Sequence, residues 1–316
     1  METKLTLTAA VCACMFVLAI SVAVAADEPN PAALAVNTSA PTPSYVGLRR
    51  SSYGLRKLNT EDVWWADRAK QFAAHFPGSQ PLILHILSNY QDDGTTQIEF
   101  KKPETYHGST TNMSFLPRGK LNHERALTTY DEQGVKAILQ FEPGSASVGD
   151  CFELAHAAFS RHQCVIGLAI DGEWFRTTES ADQTGLPIPD ADAQRWMEQV
   201  LRFNTNYVLV LKHFETKNLP PTYRHPKLWL LTDSQEFASQ EDWMKDMRAW
   251  ANTFKGSSLG SQYGYSNDRK WWIKSTRPPV DLGKLLVKEI PQYRMLLWVD
   301  FTAGQVRFGA NSPIAD

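Results

Sequence analysis

Between residues 44 and 316, short apolar runs alternate with longer amphipathic stretches, and this alternation limits the fold more than any other feature of the chain. The runs occupy residues 45–48, 81–87, 135–141, 165–170, 207–211, 228–231, 262–265 and 295–299. Helix-like stretches, among them 63–75, 152–161, 190–204 and 240–254, lie between them. Strands that alternate with helices pair in parallel through crossovers. Eight such units over this length predict a single α/β domain, a (β/α)8 TIM barrel, at residues 44–316. A doubly wound open sheet is the alternative, but no glycine-rich dinucleotide fingerprint follows the first run.

A barrel of this kind carries its chemistry at the C-terminal ends of its strands. Several runs close on polar residues: Glu142 after the third, Asp171-Gly172-Glu173-Trp174 after the fourth, Lys212-His213 after the fifth. Thr232-Asp233 follows the sixth run, Ser266-Asn267-Asp268 the seventh, and Asp300 the eighth. Loops are polar in general, so the fourth run carries the argument. Strand residues two apart share a face. Leu168 and Ile170 therefore face the helices, while Gly167, Ala169, Asp171 and Glu173 face the barrel axis. Two carboxylates that close resist ionising together, so one keeps its proton and can protonate a leaving oxygen.

The segment Gly167-Leu168-Ala169-Ile170-Asp171-Gly172-Glu173-Trp174 resembles the fourth strand of family 18 glycoside hydrolases, the chitinase-like barrels, where a hydrophobic strand ends in Asp-x-Asp-x-Glu. The resemblance implies Glu173 as general acid and Asp171 as the residue that orients a substrate acetamido group. It also implies Trp298 as the floor of a sugar subsite. Two positions depart from the family: Ala169 replaces the earlier Asp, and Leu231-Thr232-Asp233 stands where Met-x-Tyr is expected. Tyr263 or Tyr265 is a substitute for that Tyr. A second route needs no acetamido group and pairs Glu142 with Glu173 across the mouth. Their separation then decides retention or inversion.

His213, Asp233 and Asp300 are candidates for substrate contact, each weighed against a purely structural role. Trp174 and Trp298 are candidate sugar platforms, since a sugar's C–H face stacks on an indole. Trp64 and Trp65 read instead as helix anchors. The stretch from Arg49 to Tyr53 either binds an anionic group or pairs with carboxylates at the rim. Lys212 is another possible counter-ion for Asp171 and Glu173. No metal-ligand spacing or phosphate-binding loop is present, so no cofactor is expected. A metal-dependent hydrolase would need His85, His107, Asp92 and Asp93 together.

With 32 basic against 34 acidic residues, the chain has no cationic field for nucleic acid. Residues 1–26 read as a secretory signal, with a membrane anchor as the alternative because the apolar stretch approaches the ~18 residues that span a bilayer. Residues 27–43, rich in Pro, Ala, Ser and Thr, read as a linker. The expected setting is extracellular or periplasmic, with no stable membrane insertion after cleavage. Nothing demands an oligomer. Cys12 and Cys14 leave with the signal. Cys151 and Cys164 then form one disulfide in an oxidising compartment, or remain as two buried thiols. The combined expectation is a secreted glycoside hydrolase-like barrel, with a lectin-like, non-catalytic carbohydrate binder as the alternative.

Overall fold

The computed structural model describes residues 42–54, 61–116, 119–177 and 184–309. The expected signal and most of the linker lie outside these residues. Eight parallel strands close into a barrel: β1 (Tyr45–Arg50), β2 (Gln80–Ile86), β6 (Lys136–Phe141), β7 (Val165–Asp171), β8 (Val208–His213), β9 (Leu228–Thr232), β10 (Ser258–Tyr263) and β11 (Tyr293–Trp298). Five helices return the chain between strands: α1 (Asp62–Ala73), α2 (His123–Gln133), α3 (Val148–Phe159), α4 (Asp190–Phe203) and α5 (Gln240–Thr253). After β10 come the short α6 (Arg269–Trp272) and then α7 (Pro278–Glu289). The protein is a single (β/α)8 barrel.

The period-two pattern sorts the strand residues into two apolar layers. Leu82, Leu84, Ile138, Ala169, Val210 and Leu297 belong to the cluster inside the barrel. Their neighbours in sequence, such as Ile83, Leu139, Leu168, Ile170 and Leu209, pack outward into the larger layer under the helices. Local signals set several helix ends. Asn122 Oδ1 accepts from Arg125 N at the start of α2, and Gly134, at φ 67°, ends it in the left-handed conformation. Ser147 caps α3 and Ser239 caps α5 in the same way.

Three features differ from the sequence expectation. The seventh barrel strand is Ser258–Tyr263 rather than 262–265. Its Ser-Leu-Gly-Ser-Gln-Tyr sequence is too poor in apolar residues to stand out. Gly260 is needed there, since a Cβ would lie 2.8 Å from Met295 Cε and 2.9 Å from Leu231 Cδ1. Second, the chain between β2 and α2 builds a small sheet, β3 (Ser88–Tyr90), β4 (Thr96–Ile98) and β5 (Met113–Phe115). Strands of three half-polar residues leave no periodic trace.

Third, Cys151 and Cys164 are free, buried thiols, which corrects the disulfide. Cys151 lies in the first turn of α3, near the C-terminal end of β6, whereas Cys164 immediately precedes β7 at the opposite end of the barrel. The rise of α3, about 1.5 Å per residue, separates them, and a disulfide needs Cα atoms within about 7 Å. No helix among the described residues is long and apolar enough to cross a membrane.

Candidate functional site

Asp171 closes β7, and the turn Gly172–Trp174 carries Glu173 and Trp174 outward from it. Asp171 Oδ1 accepts from Glu173 N at 3.4 Å, which fixes the turn. Gly172 permits β8 to lie alongside, because a Cβ would come within 2.8 Å of Lys212 O. Parallel register sets Asp171 opposite Lys212, and Asp233 follows β9 on the far side of β8. Lys212 Nζ lies 2.8 Å from Asp171 Oδ2 and 2.8 Å from Glu173 Oε1, and also contacts Asp233 Oδ2. Its side chain is only 2% exposed. The counter-ion is thus Lys212, enclosed by three carboxylates.

Polar side chains from β6, β10 and the loop after β10 complete the cluster. Gln140 Nε2 donates to Asp171 Oδ2 at 3.3 Å. Tyr265 OH donates to Asp233 Oδ2 at 3.4 Å and itself accepts from Gln262 Nε2. Among the described residues, Asp233 Oδ1, Gln140 Oε1 and Gln262 Oε1 are buried acceptors with no hydrogen-bond partner.

Glu142 stands beside this cluster. Its Oε1 accepts from Tyr53 OH at 2.7 Å and its Oε2 from Tyr90 N at 2.9 Å. Arg49 donates to Tyr53 OH at 3.3 Å and, from Nε and Nη2, to Asp300 Oδ1 at 2.9 and 2.7 Å. Asp300 Oδ2 accepts from Ser51 N at 2.7 Å and from Ser51 Oγ at 2.5 Å. Of the two readings of the Arg49–Tyr53 stretch, the structure shows the pairing with a rim carboxylate.

Three carboxylates against one ammonium would leave two excess negative charges in a buried volume, so the cluster retains protons. Burial, then Asp233, pushes Glu173 well above the usual carboxylate range. Burial also raises Asp171, to about 7, with Lys212 opposing and Asp233 and Glu142 adding to the rise. Burial pushes Asp233 up too, but Lys212 and hydrogen bonds from Glu173 and Lys212 outweigh it and hold Asp233 low. Of this pair, Glu173 is thus shifted toward its protonated form and Asp233 toward its carboxylate. Burial lowers Lys212, but its three carboxylates overcome this and hold it charged. Burial raises Glu142 against the opposing hydrogen bonds from Tyr53 and Tyr90.

Glu173, 19% exposed, connects the cluster to solvent. It lines a cleft of about 470 Å³ with Phe214, Ser234, Glu236, Phe237 and Asp246, within the usual range for small-molecule sites. A larger cavity of about 660 Å³, lined by residues such as Glu99, His123 and Arg161, contains no member of the cluster. Trp174 is half-buried and stacks on Tyr90, with ring centroids 4.5 Å apart and planes at 19°.

Several expected site residues are engaged elsewhere. Trp298 faces outward into the layer under the helices, fully buried against Tyr263 and Trp272, with its Nε1 on Thr302 Oγ1 at 2.9 Å. It has no face for a sugar, because the inward residue of that strand pair is Leu297. His213 Nε2 donates to Thr184 O at 2.7 Å and its Nδ1 accepts from Glu215 N at 2.8 Å, so both nitrogens anchor loops. Both Asp300 oxygens are occupied, and the residue is fully buried. Tyr263 points outward and donates to Pro279 O, whereas Tyr265 belongs to the cluster. His85 faces away from the axis onto His123, at 2.8 Å, while Asp92, Asp93 and His107 are exposed, so the residues of the metal-hydrolase alternative do not meet. Tyr53 meets Glu142 as part of the Arg49–Tyr53 stretch expected to pair with rim carboxylates, whereas the sequence reading did not single out Gln140. The period-two rule that picked out Asp171 and Glu173 would also have flagged Gln140, two residues before Glu142.

No family model matches the sequence, so the likeness to family 18 remains one of motif, and no curated protein matches it. Among solved structures, it is similar to an FMN-binding beta-glucuronidase from Facaelibacterium prausnitzii L2-6, with 13% identity, TM-score 0.46, and coverage of 83% of this chain and 38% of that one. It is also similar to the endo-fucoidan hydrolase P5AFcnA from glycoside hydrolase family 107, with 10% identity, TM-score 0.44, and coverage of 81% and 85%. A third is the Prevotella bryantii endo-beta-mannanase/endo-beta-glucanase PbGH26A-GH5A, with 12% identity, TM-score 0.40, and coverage of 82% and 43%. The chain thus spans less than half the length of the first and third. Identity this low says nothing about substrate.

Proposed function

We propose that the barrel is a glycoside hydrolase with Glu173 as proton donor. The observation that carries this reading is the position of Glu173, the cluster carboxylate that lines the cleft and meets Lys212 Nζ at 2.8 Å, with burial and then Asp233 raising its pKa. In the reaction, the Glu173 carboxyl protonates the departing glycosidic oxygen. Lys212, already within 2.8 Å of Glu173 Oε1, stabilises the carboxylate that forms. Asp233 Oδ2 is taken up by Lys212 and Tyr265, and the carboxyl that acts across the scissile bond stands about 5–9.5 Å from the acid. Glu142 is left as nucleophile or base, and Asp171 as the residue that orients substrate or donor. The partnerless acceptors on Asp233, Gln140 and Gln262 suit hydroxyl donors, and Trp174 with Tyr90 supplies an aromatic edge. On this reading the chain acts outside the cytoplasm as a monomer after loss of residues 1–26.

A second reading, a non-catalytic carbohydrate binder, draws on the same ion cluster, because Lys212 ties Glu173 into the barrel end. Release of reducing ends from a panel of polysaccharides, with binding measured on the same panel, separates the two. A glycosidase releases ends from at least one substrate. Glu173→Gln then lowers kcat by about 10²–10⁴-fold while binding holds. Activity persists below the raised pKa of Glu173 and is lost as pH rises through it. Binding without release supports the lectin-like reading, and Glu173→Gln with unchanged turnover refutes Glu173 as the acid.

A further inference from the structure

Cys164, left without a disulfide, lies in a cluster at the opposite end of the barrel from the carboxylates. Asp131 comes from the last turn of α2, and His162 and Cys164 from the turn between α3 and β7. One side-chain ligand atom from each, a carboxylate oxygen, a ring nitrogen and a thiol sulfur, lies within 4.8 Å of the other two. His162 and Cys164 are buried, whereas the Asp131 side chain is 28% exposed and opens the group to solvent.

Asp131 and His162 are also held from behind, and the Cys164 thiol donates to Leu127 O at 3.5 Å. Asp131 Oδ1 accepts from Cys164 N at 2.6 Å, which aims Oδ2 at the ring of His162, 2.6 Å from Nδ1. The other ring nitrogen, Nε2, is buried with no hydrogen-bond partner and lies 3.3 Å from Glu124 Oε1. Glu124 is in turn paired with Arg161. A ligating imidazole whose far nitrogen faces a carboxylate is the usual outer arrangement of a metal site.

We propose that Asp131 Oδ2, His162 Nδ1 and Cys164 Sγ form a binding site for a divalent ion of the zinc class, with water in the fourth position. One carboxylate, one imidazole and one thiolate suit such a borderline-soft ion. Bonds of about 2.0–2.3 Å separate tetrahedral ligands by roughly 3.3–3.7 Å, so Asp131 Oδ2 and His162 Nδ1 move apart by under about 1 Å. The part-exposed Asp131 side chain makes that movement. On binding, the His162 proton relocates to Nε2, facing Glu124, and the thiol proton leaves to solvent. The ion ties the end of α2 to the entry of β7, far from the cleft, and so stabilises the barrel without entering its chemistry.

The test is a cobalt(II) titration of the chelator-treated chain. The site predicts one equivalent bound, with a thiolate-to-cobalt charge-transfer band, tetrahedral visible bands and displacement by zinc. Saturating zinc raises Tm by several degrees, because it binds only the folded state. Cys164→Ser removes the charge-transfer band, and Glu124→Gln weakens binding by about 10–100-fold. His107→Ala, at an exposed histidine, leaves the spectrum unchanged. Absence of the band from the wild-type protein overturns the proposal, whatever the folding of any variant. A band that survives Cys164→Ser overturns it as well.

Discussion

Replacing Lys212 by Met removes the one cation from a buried group of three carboxylates while keeping an unbranched side chain of similar length. The ammonium has two oxygens at 2.8 Å and a third in contact, and it is 2% exposed. Removing one partner of a buried ion pair costs about 3–5 kcal/mol, a large part of the 5–15 kcal/mol that holds a typical domain together. The loss depends on pH. Without Lys212 the folded-state pKa values of Asp171, Glu173 and Asp233 all rise, because the attraction that lowers each of them is gone. The folded variant then holds protons that the unfolded chain has released. A carboxylate raised in this way costs nothing below its unfolded pKa near 4, and stability falls as pH rises toward its folded value. One extra proton in the folded state gives a decline of about 1.4 kcal/mol per pH unit. Urea unfolding of wild type and variant at pH 6 and pH 8 measures this directly. The variant should be the less stable at both values, and the deficit should grow by about 2–3 kcal/mol between them. A uniform loss under about 1 kcal/mol at both pH values would refute the ionic account of the cluster.

Gly47→Ala should abolish soluble expression or cost several kcal/mol in chemical unfolding, because its Cβ would stand 1.7 Å from Leu82 O, a backbone atom that cannot yield. Asp300→Ala leaves the Arg49 guanidinium buried without its partner. It should lower Tm by roughly 10 °C, and joint replacement of Arg49 and Asp300 by apolar residues of similar volume should recover most of the loss. The denatured chain lacking residues 1–26 should titrate as two thiols before reduction, and a reading of zero would restore the disulfide between Cys151 and Cys164.

The barrel was legible because strand and helix periods differ and both survive in a linear pattern. Seven of the apolar runs coincide closely with barrel strands. The seventh strand was displaced because Gly260 takes an inward position where bulk is excluded and Ser261 adds a second small residue beside it. The inward direction of Asp171 and the outward direction of Ile170 followed from parity alone. Trp298 was drawn into the site by the family resemblance, not by parity: Leu297 is inward, so Trp298 is not. The small sheet over residues 88–115 left no signal, since its strands are shorter than one period of burial can reveal.

Sequence by itself determined the closed parallel barrel, the end at which acids gather, and the strand that supplies two of them. These rest on short-range periodicity, which each segment carries independently of the others. Tertiary structure decided which charges meet. Lys212 reaches Asp171 through parallel register and Asp233 through the curvature of the barrel wall. Tyr53 and Glu142 meet across 89 residues of chain, and Arg49 and Asp300 across 251. The raised pKa of Glu173, the buried thiols and the engagement of His213 by loop backbone all depend on such contacts. A contact between distant residues is set by how whole strands pack around one axis, and no local pattern in the chain encodes it.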